Sequence, residues 1–141
     1  MFIEDNLYSK IIKSVPIICV DIIISFDNKF LLVKRSENPL KGEWWVPGGR
    51  VLIGENCVTA AKRKLNEELN ISIDDLKFYG FYEDLFEESS FGKHLYHTVS
   101  VVYFLEIENI DGIDLNYTST SWKLHDNIPE RLNTKLSKLN K

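Results

Sequence analysis

The chain has 141 residues, 44% of them hydrophobic and 27% charged, with 7 Gly and 4 Pro, which suits one domain with a real core and excludes general disorder. A formal net charge of −4, with no long basic block, argues against nucleic acid as a partner. The longest apolar run, residues 17–24, is broken by Asp21 and is far too short for a membrane span.

Residues 4–13 place Leu7, Ile11 and Ile12 among charges and predict a short amphipathic helix. Residues 17–25 and 30–34 are β-branched and apolar, and Phe26-Asp27-Asn28-Lys29 between them predicts a tight turn joining two strands. Residues 36–42 read as a loop. Trp44-Trp45-Val46 is a short apolar piece running into Pro47-Gly48-Gly49. From Glu55 to Leu69 the residues Val58, Ala61, Leu65 and Leu69 recur at steps of three or four, one face of a helix, and Asn70 can close it in a left-handed conformation. Residues 77–86 and 95–107 predict strands, with a polar loop over 87–93. Residues 121–124 predict a last short strand. From Pro129 on, Leu132, Leu136 and Leu139 predict a terminal amphipathic helix.

Cys19 and Cys57 are read as buried free thiols, which suits a reducing compartment. The first residues carry no basic segment backed by an apolar one, so a cytoplasmic, soluble protein is expected.

The chemistry concentrates between Gly49 and Ile71. Magnesium takes hard oxygen ligands in near-octahedral geometry and keeps room for substrate phosphates. Glu67 and Glu68 offer carboxylates from one helical turn, and the carbonyl of Gly49 is approachable for want of a side chain. Glu55 favours the positive end of the helix dipole. Arg63, one turn before Glu67, can orient a carboxylate.

Gly49, Glu55, Arg63, Leu65, Glu67, Glu68 and Ile71, at these spacings, resemble the Nudix box, with Lys64 in place of the first helix Glu and Asn70 in place of a Gly. The resemblance implies an α+β Nudix fold, an α/β/α sandwich around a mixed sheet, formed by residues 1–141 as one domain. Ser14-Val15-Pro16-Ile17, Asp21, Leu31-Leu32-Val33-Lys34-Arg35-Ser36, Gly42-Glu43-Trp44-Trp45-Val46-Pro47-Gly48-Gly49-Arg50, Phe78-Tyr79-Gly80-Phe81-Tyr82 and His97 are similar to the GDP-mannose mannosyl hydrolase branch. That branch also lacks the first helix glutamate. It cleaves the sugar C–O bond with inversion and releases nucleoside diphosphate.

Carried onto this chain, the resemblance implies a metal site of Gly49, Glu67 and Glu68 for magnesium, with manganese as the alternative. Arg63 and Glu55 support it. Arg35 and Arg50 would contact the diphosphate, Asp21 the sugar, and His97 would help to neutralise the leaving group. Arg35, His97 and Asp21 are thus the candidate catalytic residues. The expected substrate is a nucleotide sugar resembling GDP-mannose, and the expected assembly a homodimer, for which residues 7–12 offer an apolar surface. The branch histidine before the last strand has no counterpart here. Tyr117 or Thr118 occupies its place, and His125 lies beyond Trp122. Two other readings stand beside this one: a pyrophosphohydrolase attacking phosphorus, and a nucleotide-sugar-binding domain without turnover.

Overall fold

A computed structural model describes residues 2–113 and 121–138. Among these residues ten elements follow one another as α1 (Asp5–Ser14), β1 (Ile17–Phe26), β2 (Lys29–Lys34), β3 (Trp44–Trp45), β4 (Gly48–Arg50), α2 (Cys57–Leu69), β5 (Lys77–Ser89), β6 (Gly92–Glu106), β7 (Trp122–His125) and α3 (Glu130–Ser137). The seven strands form one mixed sheet in the order β3-β2-β1-β6-β5, with β4 paired to β1 and β7 to β2. β1 pairs parallel with β6, from Ile17 opposite Thr98 to Ser25 opposite Glu106.

β1 is buried because both faces are covered. Val20, Ile22 and Ile24 pack with Leu31, Val33, Tyr103 and Leu105 against Ala60, Ala61, Leu65 and Leu69 of α2. On the other face Ile23, Leu32, Trp45, Tyr82 and Val102 pack against Leu132 and Leu136 of α3. The result is the expected sandwich, a helix on each side of a mixed sheet. Among the described residues no helix is long and apolar enough to cross a membrane.

Local chemistry accounts for the joints. Asp27 and Asn28 take φ of 49° and 62°, so a two-residue turn with the hand of the flanking strands closes β1 onto β2. Asn56 caps α2, its side chain accepting the Thr59 amide at 2.8 Å, so the helix proper begins two residues after Glu55. Asn70 closes the same helix at φ 56°. Val58 is exposed, and the small Ala60 and Ala61 meet the sheet in its place.

The polar stretch 87–93 is not a loop. β5 continues to Ser89, Ser90 and Phe91 turn, and Gly92 at φ 102° leads into β6. Glu88 sits opposite Lys93, an opposite-charge pair that suits a solvated hairpin end. His94 is accordingly a strand residue, bonded to the Ser89 hydroxyl. Both cysteines are free and partly rather than fully buried. Leu139 and the segment with Tyr117 and Thr118 lie outside the described residues.

Candidate active site

Glu55 and Arg63 form the buttress of the site. Arg63 Nε donates to Glu55 Oε2 at 2.8 Å and Nη2 to Oε1 at 3.0 Å, while the Leu52 amide donates to the same carboxylate at 3.0 Å. These donors hold the Glu55 carboxyl below the usual range, Arg63 first. Arg63 Nη2 also donates to the Arg50 carbonyl at 3.0 Å, which ties the end of β4 to α2. Its bonds to Glu67, at 3.3 and 3.4 Å, are long. Arg63 therefore fixes Glu55 and the β4 backbone first, and Glu67 only loosely.

Glu67 and Glu68 converge on a cation, and that cation is Lys64. Its Nζ lies 3.0 Å from Glu68 Oε1 and 3.6 Å from Glu67 Oε2. The same side chain lies over Gly49: a Cβ at position 49 would come within 2.7 Å of Lys64 Cε and 3.3 Å of Nζ. Burial pushes the Glu68 carboxyl up, and the Lys64 charge draws it back. Among the described residues no three His, Cys, Asp or Glu side chains gather as a metal set. Two carboxylates and the Gly49 backbone, around the Lys64 side chain, could offer oxygen donors of the kind a hard divalent cation takes.

Beside this centre the Gly48 backbone leads to Asp21. A Cβ on Gly48 would come within 2.1 Å of the Val20 carbonyl oxygen and 2.8 Å of Asp21 Oδ1, so only glycine fits. Asp21 is 6% exposed and accepts a short hydrogen bond from the Tyr82 hydroxyl. Burial lifts its carboxyl to about 6, against the pull of Tyr82 and Arg35. Asp21, Arg35, Trp45, Gly48, Gly49 and Tyr82 share one cavity of about 110 Å³, walled further by Phe86, Tyr96, Thr98 and Ser100. A neighbouring cavity of about 140 Å³ runs along Val33, Arg35, Ser36, Gly48 and Glu68. Each is too small to enclose a nucleotide, but Arg35, Trp45, Val46 and Gly48 line both, so the two cavities adjoin.

The other candidates divide. Arg35 stands at the junction, its Nε donating to the Pro39 carbonyl at 2.6 Å. The Arg50 guanidinium lies over the Tyr8 ring of α1, 5.0 Å from its centroid. His97 is not brought into these cavities. Thr98 and Ser100 face the Asp21 cavity, so His97 points to the opposite face of the sheet, where Nε2 meets Glu83 Oε1 at 3.1 Å beside Phe81 and Leu85. The residue of β6 that does line the Asp21 cavity there is Tyr96. Tyr82, Tyr96 and Ser100 escape a reading of the sequence that looks for charged groups. Strand alternation from Asp84 to Tyr82, and from Ser100 to Tyr96, was the signal available.

A family model described as NUDIX domain matches residues 16–122. The chain is 33% identical over 87 residues to the low-salt glycan biosynthesis protein Agl8 of Haloferax volcanii, covering 62% of this chain and 56% of that protein. It is 36% identical over 92 residues to the ADP-ribose pyrophosphatase of Methanocaldococcus jannaschii, covering 65% and 52%. The match thus spans about half the length of these curated relatives. Among solved structures, a MutT NUDIX hydrolase from Burkholderia pseudomallei superposes with a TM-score of 0.72 at 20% identity, over 89% of this chain and 99% of that one. The NUDIX domain of Shewanella oneidensis NrtR complexed with ADP ribose gives 0.64 at 21% identity, over 79% and 73%. At these identities the superpositions establish the fold.

Proposed function

The chain belongs to the Nudix domain family, and from that membership we propose that it hydrolyses a nucleoside diphosphate derivative, specifically a nucleotide sugar resembling GDP-mannose, with a divalent cation bound. The observation that carries this reading is the pair of adjoining cavities, one lined by Glu68 and the other by Asp21, with Arg35 and Gly48 lining both. A diphosphate linked to a sugar ring has the matching layout, charge at one end and hydroxyls on a ring at the other.

Glu67, Glu68 and the Gly49 carbonyl would hold magnesium or manganese; that both carboxylates already grip one ammonium supports their convergence on a cation. Such an ion, when bound, supplies charge stabilisation to the diphosphate. Arg35 would bind phosphate oxygens by its guanidinium fork, and Arg50 would add a second guanidinium on leaving the Tyr8 ring. Trp45, Tyr82, Phe86 and Tyr96 offer flat walls to a sugar ring. Asp21, the one carboxylate lining that cavity among the described residues, would accept a sugar hydroxyl or a water proton. His97, on the other face of the sheet, has no part in this reading.

In the reaction we favour, water attacks the sugar carbon, the C–O bond breaks, and the diphosphate leaves with the electron pair. Lys64 in place of a carboxylate supports this choice, since activation of water at phosphorus would use that carboxylate. Attack at phosphorus is the second reading, supported by the intact Glu67-Glu68 pair and by the similarity to a protein named ADP-ribose pyrophosphatase. Product analysis separates them. With GDP-mannose and magnesium, GDP and mannose are expected; GMP and mannose 1-phosphate would give the second reading. Glu68→Gln should remove the metal-dependent turnover, and an unchanged rate would sink the metal assignment.

A further inference from the structure

Lys64 has two neighbours that matter. One is the pair of carboxylates Glu67 and Glu68, which its ammonium bridges at 3.6 and 3.0 Å. The other is Gly49, over whose backbone its stem lies so closely that a side chain there would make the lysine move. The lysine side chain is only 17% exposed and Glu68 only 12%, so the pair is set into the site rather than waving above it. Solvent-exposed i to i+4 pairs are weak and interchangeable. This one is packed, three-sided, and centred on the oxygens that a metal would use.

We propose that Lys64 is a resident cation of the diphosphate site, and that a divalent ion reaches Glu67, Glu68 and Gly49 only by displacing its ammonium. The inference rests on the assignment of the metal to these residues. Two adjacent carboxylates without a counter-charge repel each other and attract a dication strongly; a single positive charge at about 3 Å offsets much of that attraction. An ammonium and a metal ion cannot both occupy a space this small. The four-carbon stem lets the ammonium move without unfolding the helix, and a diphosphate bound in the cavity that Glu68 and Arg35 line would offer it anionic partners. The resting protein is thereby spared a bare dianionic pocket, and the metal is admitted most readily when phosphate oxygens can take the lysine.

Titration of Mn2+ into the 141-residue chain, with free ion read by its electron paramagnetic resonance signal, tests this. Lys64→Met and Lys64→Gln should each bind Mn2+ at least tenfold more tightly than the wild type, and adding Glu68→Gln to Lys64→Met should abolish the gain. An affinity equal to or weaker than wild type in both variants overturns the proposal. If Glu68→Gln weakens Mn2+ binding everywhere while Lys64→Met changes nothing, the metal assignment stands and the role of Lys64 falls. If Glu68→Gln has no effect in any background, both fall. In the wild-type protein the Lys64 13Cε resonance should shift as Mg2+ saturates the site; a resonance that stays in place through a Glu68-dependent titration also overturns it.

Discussion

Asp21 is a charge in the most buried strand of the molecule, and its surroundings define what it can do. Tyr82 donates to it, Arg35 lies near enough to lower it, and burial outweighs both, lifting the carboxyl from 3.8 to about 6. The folded protein therefore holds this proton more tightly than the unfolded chain. The stabilisation that results is complete below pH 3.8 and is gone once the pH has passed about 6. Asp21→Asn removes that dependence. Relative to wild type, the variant should gain about 3 kcal/mol in folding free energy between acid and neutral pH, read by urea denaturation across that range. The same variant should lose at least tenfold in kcat/KM on a nucleotide sugar. Asp21, Glu67 and Glu68 stand out in the sequence, because a carboxylate in an apolar run or a carboxylate pair on one helical turn is anomalous in one dimension, whereas Arg35 stands out only through the family resemblance. The face His97 takes was not legible, because one step along a strand reverses the face of the sheet and nothing local to the residue announces the parity.

At the scale of elements, α3 is held by more than its apolar stripe. Asp84 on β5, 1% exposed, takes two hydrogen bonds from Arg131 of α3, and Lys135 adds its charge at 3.7 Å. Arg131 also lies over the Phe86 ring, 4.8 Å from its centroid. Arg131→Met leaves a buried carboxylate with Lys135 and the Leu85 amide as its remaining partners. Because Arg131 is itself partly exposed, the expected cost is moderate, about 2 kcal/mol of folding free energy. Replacing both partners, Asp84→Leu with Arg131→Met, should recover most of it in the same denaturation experiment, since the stranded charge is then gone. The helix itself was legible from Leu132 and Leu136, and α2 from Ala61, Leu65, Leu69 and the left-handed Asn70. The hairpin joining β5 and β6 was not: Glu87, Glu88 and Lys93 read as a loop because the segment is polar and carries no apolar alternation, although Ser89 is buried and Phe91 meets the Tyr8 ring edge-on.

Across the whole molecule, β4 is the seam. It is three residues long, yet it pairs with β1, is tied to α2 through Arg63, and lines both the Glu68 cavity and the Asp21 cavity with Gly48. Gly48→Ala would push a methyl into the Val20 carbonyl and Asp21. It should lower the thermal midpoint and reduce kcat/KM at least tenfold; a variant with wild-type stability and rate would show that the close approach is not needed. By itself the sequence determined the parts that depend on neighbours in the chain: the capped helix with its carboxylate pair, the glycine turn before it, and the two-residue turn at Asp27-Asn28. Tertiary structure alone decided the rest. That Lys64 lies across Gly49, that Tyr96 and not His97 faces Asp21, and that Arg35 joins two cavities all follow from strand register and from the packing of α2 and α3 on opposite faces. Those relations link residues tens of positions apart, where hydrophobic burial and strand pairing, not local spacing, select the arrangement.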